Sequence, residues 1–142
     1  MKILVPVDGS PASLRALKHA VDQAKAVAGA SLVILNVQNL ATLGLAEGAE
    51  IMPPGWIEEE EKGAAIEVLQ EAVAICREAA LSYATRSDRG TVAATINRVA
   101  HEEHVACIIM GTRGLGGVRG LLLGSVATQL LHLVDVPVTL VK

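Results

Sequence analysis

The chain has 142 residues, 51% of them apolar, and 12 basic against 15 acidic side chains, a formal charge of −3. That length and composition suit one domain with its own core over residues 1–142 and argue against disorder. With one Trp (Trp56), one Tyr (Tyr83), no Phe and an acidic balance, the chain lacks the stacking platforms and basic surface of a nucleic-acid reader.

No apolar stretch reaches the length of about 18 residues that a membrane span needs. The apolar run after Met1 and Lys2 is too short for a signal peptide. Cys76 and Cys107 have no paired spacing that suggests a metal or redox motif and read as small core hydrophobes. The expectation is a cytoplasmic protein without membrane or nucleic-acid partners.

In chain order, Ile3 to Val7 is a continuous, β-branched apolar run, the pattern of a strand covered on both faces. It stops at Asp8-Gly9. Ser10 then suits the cap of a helix and Pro11 its first position. Leu14, Leu17, Val21, Ala24 and Ala28 step by 3 and 4, one face of a helix that Gly29 is expected to end. Lys2 reads as a solvent charge. A second apolar strand runs from Ser31 to Val37.

Residues 38–57 show no clean period and contain Pro53-Pro54-Gly55. They read as a long loop with a helical turn near Leu43, and Trp56 as a loop anchor or dimer contact. The next helix is expected over Glu58 to Ala80, with Ile66, Leu69, Val73, Cys76 and Ala80 facing inward. Glu58 to Glu61 read as a solvated first turn favoured by the helix dipole. Leu81 to Arg86 is a weaker, more polar strand that suits an edge. Val92, Ile96, Val99 and Ala100 mark a helix ending near Glu103. His101 and His104 belong to its polar end rather than to a metal site. Val105 to Met110 is the fourth strand, Gly111 to Gly124 a glycine-rich loop, Val126 to Val134 a last helix, and Pro137 to Val141 the fifth strand.

Such alternation predicts an α/β fold: a five-stranded parallel sheet, doubly wound, order 3-2-1-4-5, with helices on both faces. Ligands in such sheets sit beyond the carboxyl ends of the strands where the winding reverses, here between strands 1 and 4. Asp8 and Gly111 should therefore face one crevice. Six of the fifteen residues from Gly111 to Ser125 are glycine, a density that lets main-chain amides approach an anion closely. Gly124-Ser125-Val126 opens a helix whose free amides attract the same charge, and Arg113 and Arg119 add positive charge. A polyphosphate between loop and helix start is the ligand this pattern suggests. There is no Gly-Lys-Ser/Thr phosphate loop, no dinucleotide glycine spacing after the first strand, and no Gly-x-Ser-x-Gly elbow.

The spaced set Gly111-x2-Gly114-x9-Gly124-Ser125, the opening Ile-Leu-Val-Pro-Val-Asp-Gly-Ser and the closing Val136-Pro137-Val138-Thr139-Leu140-Val141 resemble the ATP-binding type of the universal stress protein family over the whole chain. The resemblance implies adenine against Pro6, Val7, Val37 and Met110. Asp8 would bond ribose hydroxyls or lie near a metal-bound phosphate. Gly111, Arg113 and Gly114 would line the ribose and first phosphates, and Gly124, Ser125 and Val126 would hold the phosphates. Mg²⁺ would bind through phosphate oxygens and water. The family also implies a homodimer through the last strands. Cys107 departs from the aspartate the family often carries there. The leading expectation is an ATP-binding regulatory or stress-response protein, read in its ordered state by a protein partner. A slow Mg-dependent ATP hydrolase and a nucleotide-free dimeric module are the alternatives.

Overall fold

The computed structural model describes residues 1–39, 47–114 and 122–142. The expected turn near Leu43 and Arg119 lie outside them. The elements follow the order β1 (Lys2–Pro6), α1 (Pro11–Lys25), β2 (Ser31–Gln38), a 3₁₀ turn (Ala49–Ile51), α2 (Trp56–Glu78), β3 (Ser82–Arg89), α3 (Val92–Glu102), β4 (Cys107–Gly111), α4 (Ser125–Leu133) and β5 (Val138–Val141). The sheet has the order β3-β2-β1-β4-β5, every pair parallel. This is the expected α/β topology.

The apolar strands bury both faces. Ile3, Val5, Val7, Leu32, Ile34 and Ile109 pack under α1 and α2. Leu4, Val33, Leu35, Ile108 and Met110 pack under α3 and α4. Successive side chains of a strand point to opposite faces, so each core is filled by alternate residues of the same short runs. The edge reading of the third strand holds, but the strand extends to Arg89 because β2 pairs with it from Ser31↔Ser82 to Gln38↔Arg89.

Three helix readings change. Ser10 does cap α1, its hydroxyl accepting from the Ser13 amide at 3.2 Å, with Pro11 first in the helix. The helix nevertheless stops at Lys25, four residues before Gly29. The Ala26 amide bonds the Gln23 carbonyl and Val27 bonds Ala24, a tightening to i→i+3 bonds that ends the helix, and Ala28 is left exposed. In α2 the inward face is Glu61, Ala65, Ala72 and Cys76, while Ile66 of the expected face is 47% exposed. Glu61 is buried, not solvated: Arg89 on β3 donates to its carboxylate at 2.7 Å. The ends of α2 and α3 carry no glycine. Ala80 (φ 55°) and His104 (φ 52°) take the left-handed conformation there, with the Leu81 and Val105 amides reaching back to Cys76 and Ala100.

Polar groups tie the edge strand down. Arg86 bonds Asp88 at 2.8 Å and Glu103 at 3.1 Å. Arg98 of α3 bonds Asp88 at 2.9 Å and Glu102 at 2.7 Å. Lys2, expected in solvent, reaches Glu103 at 3.1 Å. Burial raises the Asp88 carboxyl, but the bonds from Arg86 and Arg98 outweigh it and hold it below its ordinary value. Glu103 is lowered by Lys2 and then Arg86, and Glu102 by Arg98 and then Arg86.

Two predictions follow from these features. Carboxyls lowered in the fold stabilise it above their unfolded pKa, and that stabilisation is lost as pH falls through the folded values. The melting temperature of Asp88→Asn lies below that of the parent at neutral pH. The gap closes as pH drops below the ordinary carboxylate range of about 4, which calorimetry across pH measures. Second, His104→Gly relieves a left-handed residue, a strain of roughly 1–2 kcal/mol, partly offset by the flexibility glycine adds to the unfolded chain. Urea unfolding should report a gain of about 0.5–1 kcal/mol.

Candidate functional site

β1 pairs with β4 only at Ile3↔Cys107 and Leu4↔Ile108. Beyond those pairs β1 follows β2, with the Val7 amide donating to Leu35 at 2.8 Å. β4 follows β5 as far as Gly111↔Val141. The two strand ends thus bound one crevice. Across it, a Cβ added to Gly114 would lie 2.5 Å from Oδ2 of Asp8, so the carboxylate rests against the glycine. The other oxygen, Oδ1, accepts from the Ser10 amide at 2.9 Å. Asp8 therefore does cap the turn into α1, and one oxygen of the same group faces the glycine-rich segment.

The two described ends of that segment meet at Thr112, a residue the sequence reading passed over. Its amide donates to the Val141 carbonyl at 2.9 Å, and its carbonyl accepts from Gly124 at 2.7 Å. This strut fixes where α4 begins. Gly124 leads into α4 in an extended conformation, and no side chain caps the helix among the described residues. The first amides of α4, from Ser125 and Val126, are of the kind that receive anions. Arg113 is exposed next to them, its Cα 3.4 Å from where a Gly124 Cβ would stand.

The candidate adenine contacts divide by strand parity. Pro6 and Val37 are half-buried, and Val37 and Met110 lie on the α3/α4 side of the sheet. Val7 is not grouped with them. Its side chain sits in the α1/α2 core, its amide is used by Leu35, and its carbonyl accepts from Asn36 at 2.9 Å. Asn36 is a second residue the sequence reading missed. It is buried, receives a bond from the Gln38 amide group, and holds the chain just before Asp8. The signal was present: a lone amide inside an apolar strand needs a partner. Gly111 has a packing role as well, because a Cβ there would stand 3.0 Å from the Cβ and carbonyl carbon of Ala12. Cys107 lies at the entry of β4, away from the crevice; burial raises its thiol. His101 stands 3.3 Å from Asp135 on the surface. Among the described residues no three His, Cys, Asp or Glu side chains gather as a metal site.

Residues 1–142 match the profile of the universal stress protein family. Universal stress protein YxiE of Bacillus subtilis is 33% identical over 146 residues, covering 99% of this chain and 98% of that protein. The solved structure of hypothetical protein MJ0577 superposes with a TM-score of 0.80 at 26% identity, covering 99% of this chain and 94% of that one. A universal stress protein in complex with cAMP superposes with a TM-score of 0.73 at 25% identity, covering 100% of this chain and 97% of that one.

The two glycines lining the crevice respond differently to a methyl group. Gly111→Ala drives Cβ against the backbone of α1, and chemical denaturation should show a loss of about 1–3 kcal/mol. Among the described residues Gly114→Ala meets only the carboxylate end of Asp8, a side chain that can turn aside, so its loss stays under about 1 kcal/mol.

Proposed function

The chain belongs to the universal stress protein family, and from that premise we propose that residues 1–142 form one domain that binds ATP or a related adenine nucleotide between β1 and β4. The observation that carries this reading is the contact of Asp8 with Gly114 across from the uncapped start of α4. It sets a carboxylate suited to ribose hydroxyls opposite amides suited to phosphates. The relative in complex with cAMP supports an adenine nucleotide as the ligand class.

On this reading Pro6, Val37 and Met110 supply an apolar wall for adenine, with Val7 behind them as part of the backbone that shapes it. Gly111, Arg113 and Gly114 line the ribose and first phosphates. The Ser125 and Val126 amides and the Ser125 hydroxyl hold the outer phosphates beside Gly124, whose own amide is held by Thr112, and the dipole of α4 favours that charge. Mg²⁺ fits as an ion carried by the phosphates, since among the described residues Asp8 is the one candidate carboxylate at the crevice and this ion keeps much of its water. When bound it neutralises phosphate charge; the chain's own part is to orient the nucleotide.

The bound state orders the glycine-rich segment, and a protein partner reads it. A ligand biases such an equilibrium by its differential affinity for the two states. The assembly we propose is a cytoplasmic homodimer through β5, whose four residues are half-buried at the edge of the sheet. No described helix is long and apolar enough to cross a membrane.

Native mass spectrometry of freshly purified protein should give a dimer carrying one adenine nucleotide per chain. Equilibrium dialysis with ATP and Mg²⁺ should show retention that Gly124→Asp reduces by at least about tenfold, because it sets a carboxylate among the phosphates. No retention at about millimolar nucleotide rejects the reading.

A further inference from the structure

The register pairs β1 with β2 as far as Pro6↔Leu35, short of Asp8. The Val7–Asp8 peptide beyond it is held by a side chain at each end. Asn36 of β2 donates to its carbonyl at 2.9 Å, and its amide donates to the Ser13 hydroxyl of α1 at 3.4 Å. That hydroxyl donates in turn to the Ser10 carbonyl at 2.9 Å. A peptide unit is planar and stiff, so these bonds set the direction in which the Asp8 Cα leaves the sheet. Gly9 follows at φ 83°, a residue too permissive to set that direction from the other side.

Asn36 is itself over-determined. It is 3% exposed, and its side-chain oxygen accepts from Gln38, which lines a cleft of about 350 Å³ beside Glu61, between α2 and the carboxyl ends of β2 and β3. A buried amide used at both ends has one arrangement, because any other leaves a donor or acceptor unmet. The Asp8 carboxylate inherits that order: Oδ1 accepts from the Ser10 amide at 2.9 Å, and Oδ2 rests against Gly114. A tilt of the Val7–Asp8 peptide would carry both oxygens away together. We propose that Asn36 is a positioning residue of the nucleotide site. It touches no ligand; it sets the preference for a ribose that carries its hydroxyls, by holding the carboxylate that receives them. This inference rests on the nucleotide reading given above.

The test compares ATP with dideoxyadenosine triphosphate, which lacks both ribose hydroxyls, by equilibrium dialysis of the full chain with Mg²⁺. The parent should prefer ATP by at least about tenfold, the worth of hydrogen bonds to a charged group. Asn36→Leu keeps a branched side chain without the donor, and its preference should fall below about threefold through loss of ATP affinity. Asn36→Ser is a bond too short to reach the Val7 carbonyl; it should give the same collapse and serves where Asn36→Leu fails to fold. Val33→Ala weakens the same strand on its other face and should keep the parent's ratio, which separates positioning from stability. Without nucleotide, hydrogen exchange of the Ser10 amide, which reports its bond to Asp8, should quicken by at least about fivefold in the Asn36 variants over Val33→Ala. A parent without the preference, an unchanged ratio in a folded Asn36 variant, an equal loss of ratio in Val33→Ala, or unaltered Ser10 exchange overturns the proposal. No retention of ATP by the parent overturns the nucleotide reading itself, and this role with it.

Discussion

Two register pairs, Ile3↔Cys107 and Leu4↔Ile108, hold the halves of the sheet together, and the candidate site depends on how soon that pairing ends. Past Leu4, the register pairs β1 with β2 and β4 with β5. Pro6 has no amide to offer β4. The chain then leaves the two strands on opposite faces, α1 over one core and α4 over the other. A seam closed at its entry and open at its exit is the geometric origin of the crevice. Thr112 keeps it in shape, because its carbonyl fixes Gly124 and its amide fixes the end of β5. The Cα of Gly111 then faces the backbone of Ala12 with no room for a side chain, and that of Gly114 faces the carboxylate of Asp8.

The sheet and its order were legible in the sequence because the evidence was redundant. Each central strand is a short apolar run between punctuating residues, each helix has its own 3–4 period, and strict alternation leaves few topologies. The juxtaposition of Asp8 with the glycine-rich segment followed from strand order alone, with no side chain consulted. What periodicity could not supply was rotation and ending. In α2, alanines alternate with larger apolar residues around most of the helix, so two inward faces fit the pattern almost equally well. Packing chose Ala65, Ala72 and Cys76, which let the helix lie close to the sheet. The end of α1 failed for a related reason: the chain tightens at Ala26 and Val27, before it reaches Gly29. Ala80 and His104 adopt left-handed caps that sequence would assign to glycine, because backbone bonds back into the preceding turn outweigh the strain.

Charged residues were the other illegible class. Lys2, Glu61, Asp88 and Glu103 are ordinary surface residues in a list of letters. Their roles depend on partners distant in the chain: Lys2 meets Glu103 at a separation of 101, Arg89 meets Glu61 at 28, Arg86 meets Glu103 at 17 and Arg98 meets Asp88 at 10. Edge strand β3 alternates Arg86 and Asp88 toward α3 with Arg89 toward α2, so one polar strand is pinned from both sides. An edge with few apolar contacts needs such pins, and the same charges discourage pairing with another chain there. The opposite edge, β5, carries Val138, Leu140 and Val141 and no charge before Lys142. The two edges therefore differ in kind, and the uncharged one is the edge the proposed homodimer uses.

β2 shows how one strand serves two purposes. Its residues alternate, so Val37 points toward the α3/α4 face while Asn36 and Gln38 fall on the other parity. Asn36 donates to the Val7 carbonyl, which lies directly before Asp8. Gln38 donates to Asn36 and also lines the cleft beside Glu61. A buried chain of amides thus runs from the α2–β3 cleft to the backbone that carries Asp8. Buried polar chains of this kind fix one arrangement, because breaking any link leaves a donor or acceptor unmet. Replacing Asn36 with an apolar residue would free the Val7 carbonyl and the Gln38 amide together, which is why a polar residue stands in the middle of an otherwise apolar strand. The placement of Asp8 is consequently set from behind the sheet, by a side chain that never enters the crevice.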